Sequence, residues 1–158
     1  MSDDWIQELM RDFQDRITCG ALRGVFRLDD NSVDIVMQEQ ASTCVAEFVK
    51  LYDLPADMDL DAFLERMTIG GPSKIDIERD GDTILWKERH EGECMCPLVR
   101  REVIELNPKL CNCAVHWLRM LVERHAKRPV HVELLDSVAQ GSKDCIFRVT
   151  LEDGERER

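Results

Sequence analysis

Residues 74–89 read KIDIERDGDTILWKER, and we predict the fold of the chain from this stretch. Apolar and polar residues alternate on either side of Asp80-Gly81, which is typical of two antiparallel strands joined by a tight turn. The same alternation returns near the end of the chain, over residues 130–135 and 145–151. The sequence therefore predicts an antiparallel sheet of about four strands.

Apolar residues at helical spacing precede and separate these strands. The N-terminal segment carries them at Trp5, Ile6, Leu9, Met10, Phe13 and Ile17. We expect this helix to pack on the core, with packing on a partner as the alternative. A second helix follows the turn at 29–32, where we expect Ser32 to be the cap. A third helix begins at Asp59 and ends at Gly70-Gly71-Pro72.

A further long helical pattern lies over residues 112–127 and is stopped by Pro129. Helices followed by strands indicate an α+β fold, with helices packed on one face of the sheet and a mainly helical N-terminal third. A chain of 158 residues fits a single domain, residues 1–158. Its expected parts are mainly helical residues 1–70, residues 71–151 with the strands, cysteine loop and long helix, and a frayed tail at 152–158.

The chain carries 32 acidic against 21 basic side chains, a formal net charge of −11. Such a surface repels phosphate backbones and anionic lipid headgroups, so we expect neither nucleic acid nor a membrane as a partner. The first residues are acidic, and no apolar run suits a signal peptide or a membrane span, so we expect a cytoplasmic protein. In that reducing compartment, clustered cysteines more often bind metal or perform redox chemistry than form structural disulfides.

Cysteine is the residue type that points most directly to chemistry. The chain has seven, at positions 19, 44, 94, 96, 111, 113 and 145. Four form two Cys-x-Cys pairs: Cys94 and Cys96 lie in a predicted loop, and Cys111 and Cys113 lie at the start of the long helix. Side chains two apart share one side of an extended segment, and a helix start favours thiolate. We therefore predict that these four cysteines bind one zinc ion in a tetrahedral site.

The same cysteines are compatible with other chemistry. An iron–sulfur cluster also takes four cysteine ligands, and unligated thiols or a reversible disulfide are the alternative to any metal. His90 and His116 flank the pairs and could replace a cysteine, although we expect a structural role for each. The pattern around Cys145 predicts a buried, inert thiol, and we interpret Cys19 and Cys44 as packing residues.

Residues 132–147 read VELLDSVAQGSKDCIF, and this segment resembles the end of the small domain named after the 4-vinyl reductase proteins. The family pattern has a cysteine, a glycine four residues later, and then a Cys-x-Phe strand. Gly141, Cys145 and Phe147 match it, whereas Ser137 stands where the family has the earlier cysteine. The resemblance implies a sensor-type fold, often a homodimer, that binds a small hydrophobic molecule or a metal. It also implies that Cys145 is a possible additional metal ligand.

A second resemblance rests on ECMCP at residues 93–97 and the later Cys-x-Cys helix. It is to cysteine-rich bacterial proteins grouped with the 2-aminothiazoline-4-carboxylate hydrolases, and no catalytic residue is carried over. We predict a metal-binding, small-molecule-binding or sensor domain, with two alternatives. In a metal- or thiol-dependent hydrolase, a three-ligand zinc would act with Glu91, Glu93 or His116, the last also a possible zinc ligand. In a redox sensor, thiol oxidation would release the metal.

Overall fold

The computed structural model describes residues 4–70 and 74–153 of the chain. The helices are α1 (Asp4–Val25), α2 (Asp30–Leu51), α3 (Leu60–Gly70), α4 (Pro97–Arg100) and α5 (Cys111–Ala126). The strands are β1 (Lys74–Asp80), β2 (Thr83–Arg89), β3 (Val130–Asp136) and β4 (Asp144–Leu151). The predicted Gly71-Pro72 helix stop and most of the predicted frayed tail lie outside the described residues.

All three strand pairings are antiparallel, and the strand order is β1-β2-β4-β3. The β1–β2 hairpin turns at Gly81-Asp82, one residue later than the predicted Asp80-Gly81, and Gly81 supplies the positive φ of 58° that the tight turn requires. The register of the two central strands places Trp86 opposite Phe147 and Glu88 opposite Cys145. The predicted α+β fold with a four-stranded antiparallel sheet is therefore confirmed.

The core lies between the sheet and the helices α3 and α5. Trp86 of β2 and Phe63 of α3 are fully buried, and their ring centroids are 6.3 Å apart. The alternation of β4 buries Phe147 and Val149 on the same face of the sheet. Helix α5 contributes Leu118, Leu121 and Val122. Helix α2 packs on α5, where the ring of Phe48 meets the edge of Trp117 with a centroid separation of 5.0 Å.

The helix ends show which polar residues stop fraying. The Asp29 carboxylate accepts the backbone N–H of Ser32 at 3.0 Å, so Asp29 caps α2 and the prediction that Ser32 is the cap was wrong. Ser32 instead donates its hydroxyl to the same carboxylate, because it already lies inside the first turn. Helix α5 ends as Lys127 adopts the left-handed conformation just before Pro129.

Helix α1 departs from the predicted core packing. Its six predicted apolar residues between Trp5 and Ile17 are each 46–57% exposed. Only Leu22, near the end of the helix, is buried, in a cluster with Val33 and Met37 of α2. Core packing was therefore the wrong expectation for residues 5–17, since only the C-terminal part of α1 reaches the core. Within the described ranges, no helix combines the length and apolar character needed to cross a bilayer.

Candidate functional site

Three separate segments bring cysteines to one end of the sheet. Cys94 and Cys96 lie in the loop between β2 and α4, and Cys111 is the first residue of α5. Cys145 is the second residue of β4, directly opposite Glu88 of β2. Because the loop leaves β2 immediately after this pair, it starts beside Cys145. The fold therefore collects thiols that are far apart in sequence.

Hydrogen bonds from backbone N–H groups of the loop hold it to the start of β4. The His90 N–H donates to the Asp144 carboxylate at 3.1 Å, and the Gly92 N–H donates to the Lys143 carbonyl at 2.8 Å. The His90 N–H and the neighbouring Lys87 ammonium hold the pKa of Asp144 below its usual range. Glu91 and Gly92 both have positive φ angles, 54° and 90°, which turn the chain back toward the helices.

Cys94 and Cys111 occupy the middle of the cluster. Burial raises the pKa of the Cys94 thiol, and the negative charge of neighbouring Cys96, Cys145 and Glu88 raises it further. Burial also raises the pKa of Cys111, against the opposing effect of a hydrogen bond with Ser137. Cys145, Cys94 and Cys96 add to that rise. The pKa of Cys111 is thus raised by cysteines of both other segments, and the pKa of Cys94 is raised by Cys145 of β4.

Cys113 lies on a different side of α5. Gln40 of α2 donates its amide to the Cys113 sulfur at 3.5 Å. Burial raises the pKa of the Cys113 thiol to about 12, with further contributions from Cys44 and Cys96. Residues two apart on an α-helix are about 200° apart around its axis, so Cys111 and Cys113 diverge. The shared orientation expected of a Cys-x-Cys pair in an extended loop does not apply here.

His90 is buried beside the same cluster. Its Nε2 lies 3.1 Å from Oε2 of Glu88, whose Oε1 accepts the indole N–H of Trp86 at 2.9 Å. Burial lowers the pKa of His90, but interactions with Cys145 and Glu88 outweigh this effect and raise it to about 9. Glu88 and Trp86 were not predicted to belong to the site. The strand register alone reveals them, because it pairs Glu88 with Cys145.

The other singled-out residues lie apart from this centre. His116 points to α2, where its Nε2 is 2.8 Å from Oδ1 of Asp34. Cys145 packs against the core but is only partly buried, and its predicted inertness stays a prediction. Cys19 is partly buried, whereas Cys44 is exposed, so the prediction that Cys44 is a packing residue was wrong. Cys44 nevertheless lies close enough to Cys113 to raise the pKa of that thiol.

All seven cysteines are unpaired thiols. Across residues 4–70 and 74–153, no three Cys, His, Asp or Glu side chains are arranged closely enough to hold a metal ion as they stand. Two open depressions lie elsewhere on the surface. One, of about 470 Å³, is lined by Met58, Ala62, Glu65, Arg66, Ile69 and Gly70. The other, of about 520 Å³, lies between α1 and the segment that follows α4.

Comparison with known proteins identifies the fold. The chain matches no protein-family model and no curated protein. A trafficking protein particle complex subunit 3 from Naegleria fowleri, covalently bound to palmitic acid, has a similar structure, with a TM-score of 0.56 and 12% sequence identity. That match covers 90% of this chain and 95% of the other. The phenol-responsive sensory domain of the transcription activator PoxR, solved with phenol, gives a TM-score of 0.55 and 11% identity over 87% and 74% of the two chains.

At these identities the two likenesses show a shared fold. The resemblance to the 4-vinyl reductase domain and that to the hydrolase group stay predictions from the sequence, since no family model matches the chain. The α+β architecture implied by the first resemblance agrees with the observed structure.

Proposed function

We propose that this chain is a sensor-type domain that binds a small hydrophobic molecule and holds one zinc ion in its cysteine cluster. The observation that carries the proposal is the gathering of thiols from the β2–α4 loop, the start of α5 and the start of β4. The four predicted cysteines can staple the long loop to the helix through a shared metal ion, and Cys145 would connect the same ion to the sheet.

The state of the thiols favours metal binding over redox sensing. Burial raises the pKa of Cys94, Cys111 and Cys113, so in the absence of a cation these thiols are protonated at neutral pH. A protonated thiol reacts slowly with peroxide, because the thiolate is the nucleophile. A divalent cation offsets the cost of buried thiolates by direct coordination. Zinc accepts sulfur and nitrogen ligands and requires no redox step.

The proposed ligands come from the four cysteines that the sequence predicts, with Cys145 and a histidine as additional candidates. Cys111 is central, because its pKa is raised by thiols of both other segments, and Cys94 is one of those thiols. The sulfur atoms must converge by rotation about χ1, the only rotatable bond of a cysteine side chain, together with a small shift of the loop. We therefore expect zinc to order the loop between His90 and Cys96.

The test is to purify the full chain without chelator, measure its metals by elemental analysis and record an absorption spectrum. We expect about one zinc per chain, in keeping with one tetrahedral site, and loss of that zinc in both Cys94→Ser and Cys111→Ser. Cys19→Ser, a change of the same kind in α1, serves as the control and retains the metal. Bound iron and a brown colour would show that the cysteines hold an iron–sulfur cluster instead of zinc. A metal-free protein would overturn the proposal.

The small-molecule part of the proposal starts from the shared fold. Both similar structures were solved with an organic molecule, palmitic acid in one and phenol in the other. In this chain, the depression beside α3 has the apolar lining that such a ligand needs, from Met58, Ala62 and Ile69, with Arg66 also in its wall. We propose that a small hydrophobic ligand with a polar or anionic group binds there.

Calorimetric titration with phenol and with a short fatty acid tests this site. Ala62→Trp fills the depression and is expected to abolish the heat of binding. Ala46→Trp makes the same change at an exposed position of α2 and leaves binding intact. Equal binding by both variants would exclude this depression, and no binding by the wild-type chain would remove both probes as ligands.

The exposed stripe of α1 supports a second copy of the chain as a partner. The stripe extends from Trp5 to Ile17 and is centred near residue 11, so an antiparallel copy covers it end to end. That arrangement also brings the acidic side chains near the start of α1, Asp4 and Glu8, toward Arg16 of the other copy. Complementary charges at the edge of an apolar contact set the orientation of the partners. We propose a homodimer through paired α1 helices.

Sedimentation velocity measures this directly. We expect a dimer for the wild-type chain and a monomer for Phe13→Glu, which places a charge in the middle of the stripe. Gln14→Glu adds the same charge at the next residue of α1, away from the stripe, and is expected to remain dimeric. A monomeric wild-type chain would overturn the proposed dimer without affecting the zinc site.

A further inference from the structure

The imidazole of His90 is buried but only half satisfied. Its side chain is 2% exposed, and its Nδ1 has no hydrogen-bond partner in the described part of the chain. Buried polar atoms are rarely left without a partner in folded proteins, and each such atom calls for a physical reason. Once it has given up its proton, a buried imidazole nitrogen without a partner is suited to bind a metal ion.

The other side of the ring is held firmly. Oε2 of Glu88 lies 3.1 Å from Nε2 of His90. The indole N–H of Trp86 donates a hydrogen bond to Oε1 of the same carboxylate at 2.9 Å. In a neutral imidazole, donation from Nε2–H to Glu88 leaves Nδ1 as the unprotonated nitrogen. Metal-binding histidines usually show this arrangement, in which a carboxylate fixes the tautomer and the ring orientation.

Thiols lie next to this ring. Cys145, opposite Glu88 across the strand pair, interacts with the His90 side chain. Cys145 in turn affects both Cys94 and Cys111, which joins the histidine to the centre of the cluster. We propose that Nδ1 of His90 is the nitrogen ligand of the zinc site, completed by the sulfur atoms of Cys94, Cys111 and Cys145. Glu88 is then a positioning residue that acts through His90.

This inference rests on the proposed zinc site and changes its ligands. Cys96 and Cys113 are not ligands in this arrangement. Cys113 faces Gln40 of α2. The proposed histidine and three cysteines already supply the four ligands of a tetrahedral zinc ion without Cys96. Three thiolates and a neutral imidazole leave one negative charge on the zinc complex, whereas four thiolates would leave two. Because Glu88 already places a carboxylate beside the site, the smaller charge is favoured. Zinc binding displaces to solvent the protons that the ligand thiols carry and also the extra proton of the His90 imidazolium, whose pKa is raised to about 9.

His116 provides an internal comparison. It also has a carboxylate at Nε2 and a buried Nδ1 without a partner among the described residues. Its carboxylate is Asp34 of α2, however, whereas the carboxylate of His90 comes from the strand that pairs with Cys145. His116 is therefore the matched control for His90.

X-ray absorption spectroscopy of the zinc-loaded full chain tests the ligand set without any substitution. We expect three sulfur atoms at about 2.3 Å and one nitrogen at about 2.0–2.1 Å. Four sulfur atoms and no nitrogen would overturn the role of His90 and leave the zinc site in place. Failure of the wild-type chain to bind zinc at all would overturn the zinc site itself, so the two failures are distinguishable.

Competition with a chelator then assigns each residue. His90→Gln and Cys145→Ser are expected to lose zinc, whereas His116→Gln and Cys113→Ser keep wild-type affinity. Glu88→Gln removes the charge that orients the ring and is expected to weaken zinc binding about 10–100-fold. The imidazole signals of His90 in nuclear magnetic resonance spectra should shift on zinc addition, and those of His116 should not. Equal losses in the two histidine variants would contradict the assignment.

Discussion

The two ends of α5 are packed by different chemistry. At its C-terminal end, His125 stacks on Phe63 with a centroid separation of 4.4 Å, and a backbone carbonyl, that of Met58, accepts its Nδ1–H at 3.0 Å. At its N-terminal end, Cys111 lies among the thiols near His90, whose partner is the carboxylate of Glu88. Each end has a buried histidine, but only the N-terminal end surrounds it with groups that bind metal.

The difference separates two sources of stability. The C-terminal end buries aromatic and aliphatic surface, which stabilises the fold whether or not any ligand is present. The N-terminal end buries sulfur and nitrogen atoms that gain most from a cation. We therefore expect the two ends of one helix to respond to different perturbations. Four experiments test whether the two ends stabilise the fold independently.

The largest effect is expected at the apolar end. Phe63→Ala removes a fully buried ring from the contact with Trp86 and His125 and is expected to cost about 3–5 kcal/mol of unfolding free energy. Urea unfolding, followed with and without zinc, should give the same loss under both conditions. Ile69→Ala, on the same helix but 79% exposed, is the control and should change stability by about 0.5 kcal/mol or less. A loss of stability that depends on zinc would show that the two ends of α5 do not stabilise the fold independently.

Removal of the metal is the converse experiment. Free zinc at 100 times its Kd is expected to add about 2.7 kcal/mol to the free energy of unfolding, because the ion binds the folded state. A chelator should remove that increment from the wild-type chain and leave the Cys111→Ser variant unchanged. The urea midpoint in matched buffers measures both. An equal response of the two proteins would show that the metal stabilises the fold from some other place.

The comparison also explains which features could be predicted from the sequence. The strands were predictable because alternation with a period of two, interrupted at Asp80-Gly81, is a local pattern. Helix α5 was predictable from its apolar spacing and from Pro129. Helix α1 was predicted as an element, but its environment was not. An apolar stripe has the same appearance whether it meets a core or a second molecule.

The candidate site was harder to predict because its geometry depends on tertiary contacts. The cysteine pairs could be identified by spacing, yet the helix that begins at Cys111 turns Cys113 toward α2. The connection of His90 to Cys145 follows from the β2–β4 register, which brings together residues more than 50 positions apart. No local pattern in a single sequence contains that register.

A change of pH should act on the apolar end through His125. Burial lowers the pKa of this histidine below 6.5, and the nearby Arg124 and Lys127 charges lower it further, against the effect of the Met58 carbonyl. The unfolded chain therefore binds a proton more readily than the folded chain. Stability falls as pH drops through 6.5 toward the folded-state pKa, and the loss is at most about 1.4 kcal/mol for each pH unit between the folded and unfolded pKa values.

His125→Phe keeps an aromatic ring against Phe63 and removes the titrating group. We expect the variant to lose less stability than the wild-type chain between about pH 7.5 and pH 5.5, a range that spans the ordinary histidine pKa, as measured by urea unfolding in chelator. The chelator removes the contribution of the metal end. Parallel pH profiles for the two proteins would mean that protonation of His125 does not limit stability in acid.

The smallest effect on stability is expected at Cys44, and it tests whether the zinc ligands extend beyond the N-terminal end of α5. Cys44 is exposed on α2 and contributes to the raised pKa of Cys113, so it lies at the outer edge of the cluster. Cys44→Ser is expected to change the free energy of unfolding by no more than about 0.5 kcal/mol, as for other exposed positions, and to keep its zinc. Elemental analysis and urea unfolding of one preparation measure both quantities. Loss of zinc in this variant would add Cys44 of α2 to the ligand set. The zinc ion would then connect the N-terminal end of α5 to a second helix as well as to the sheet.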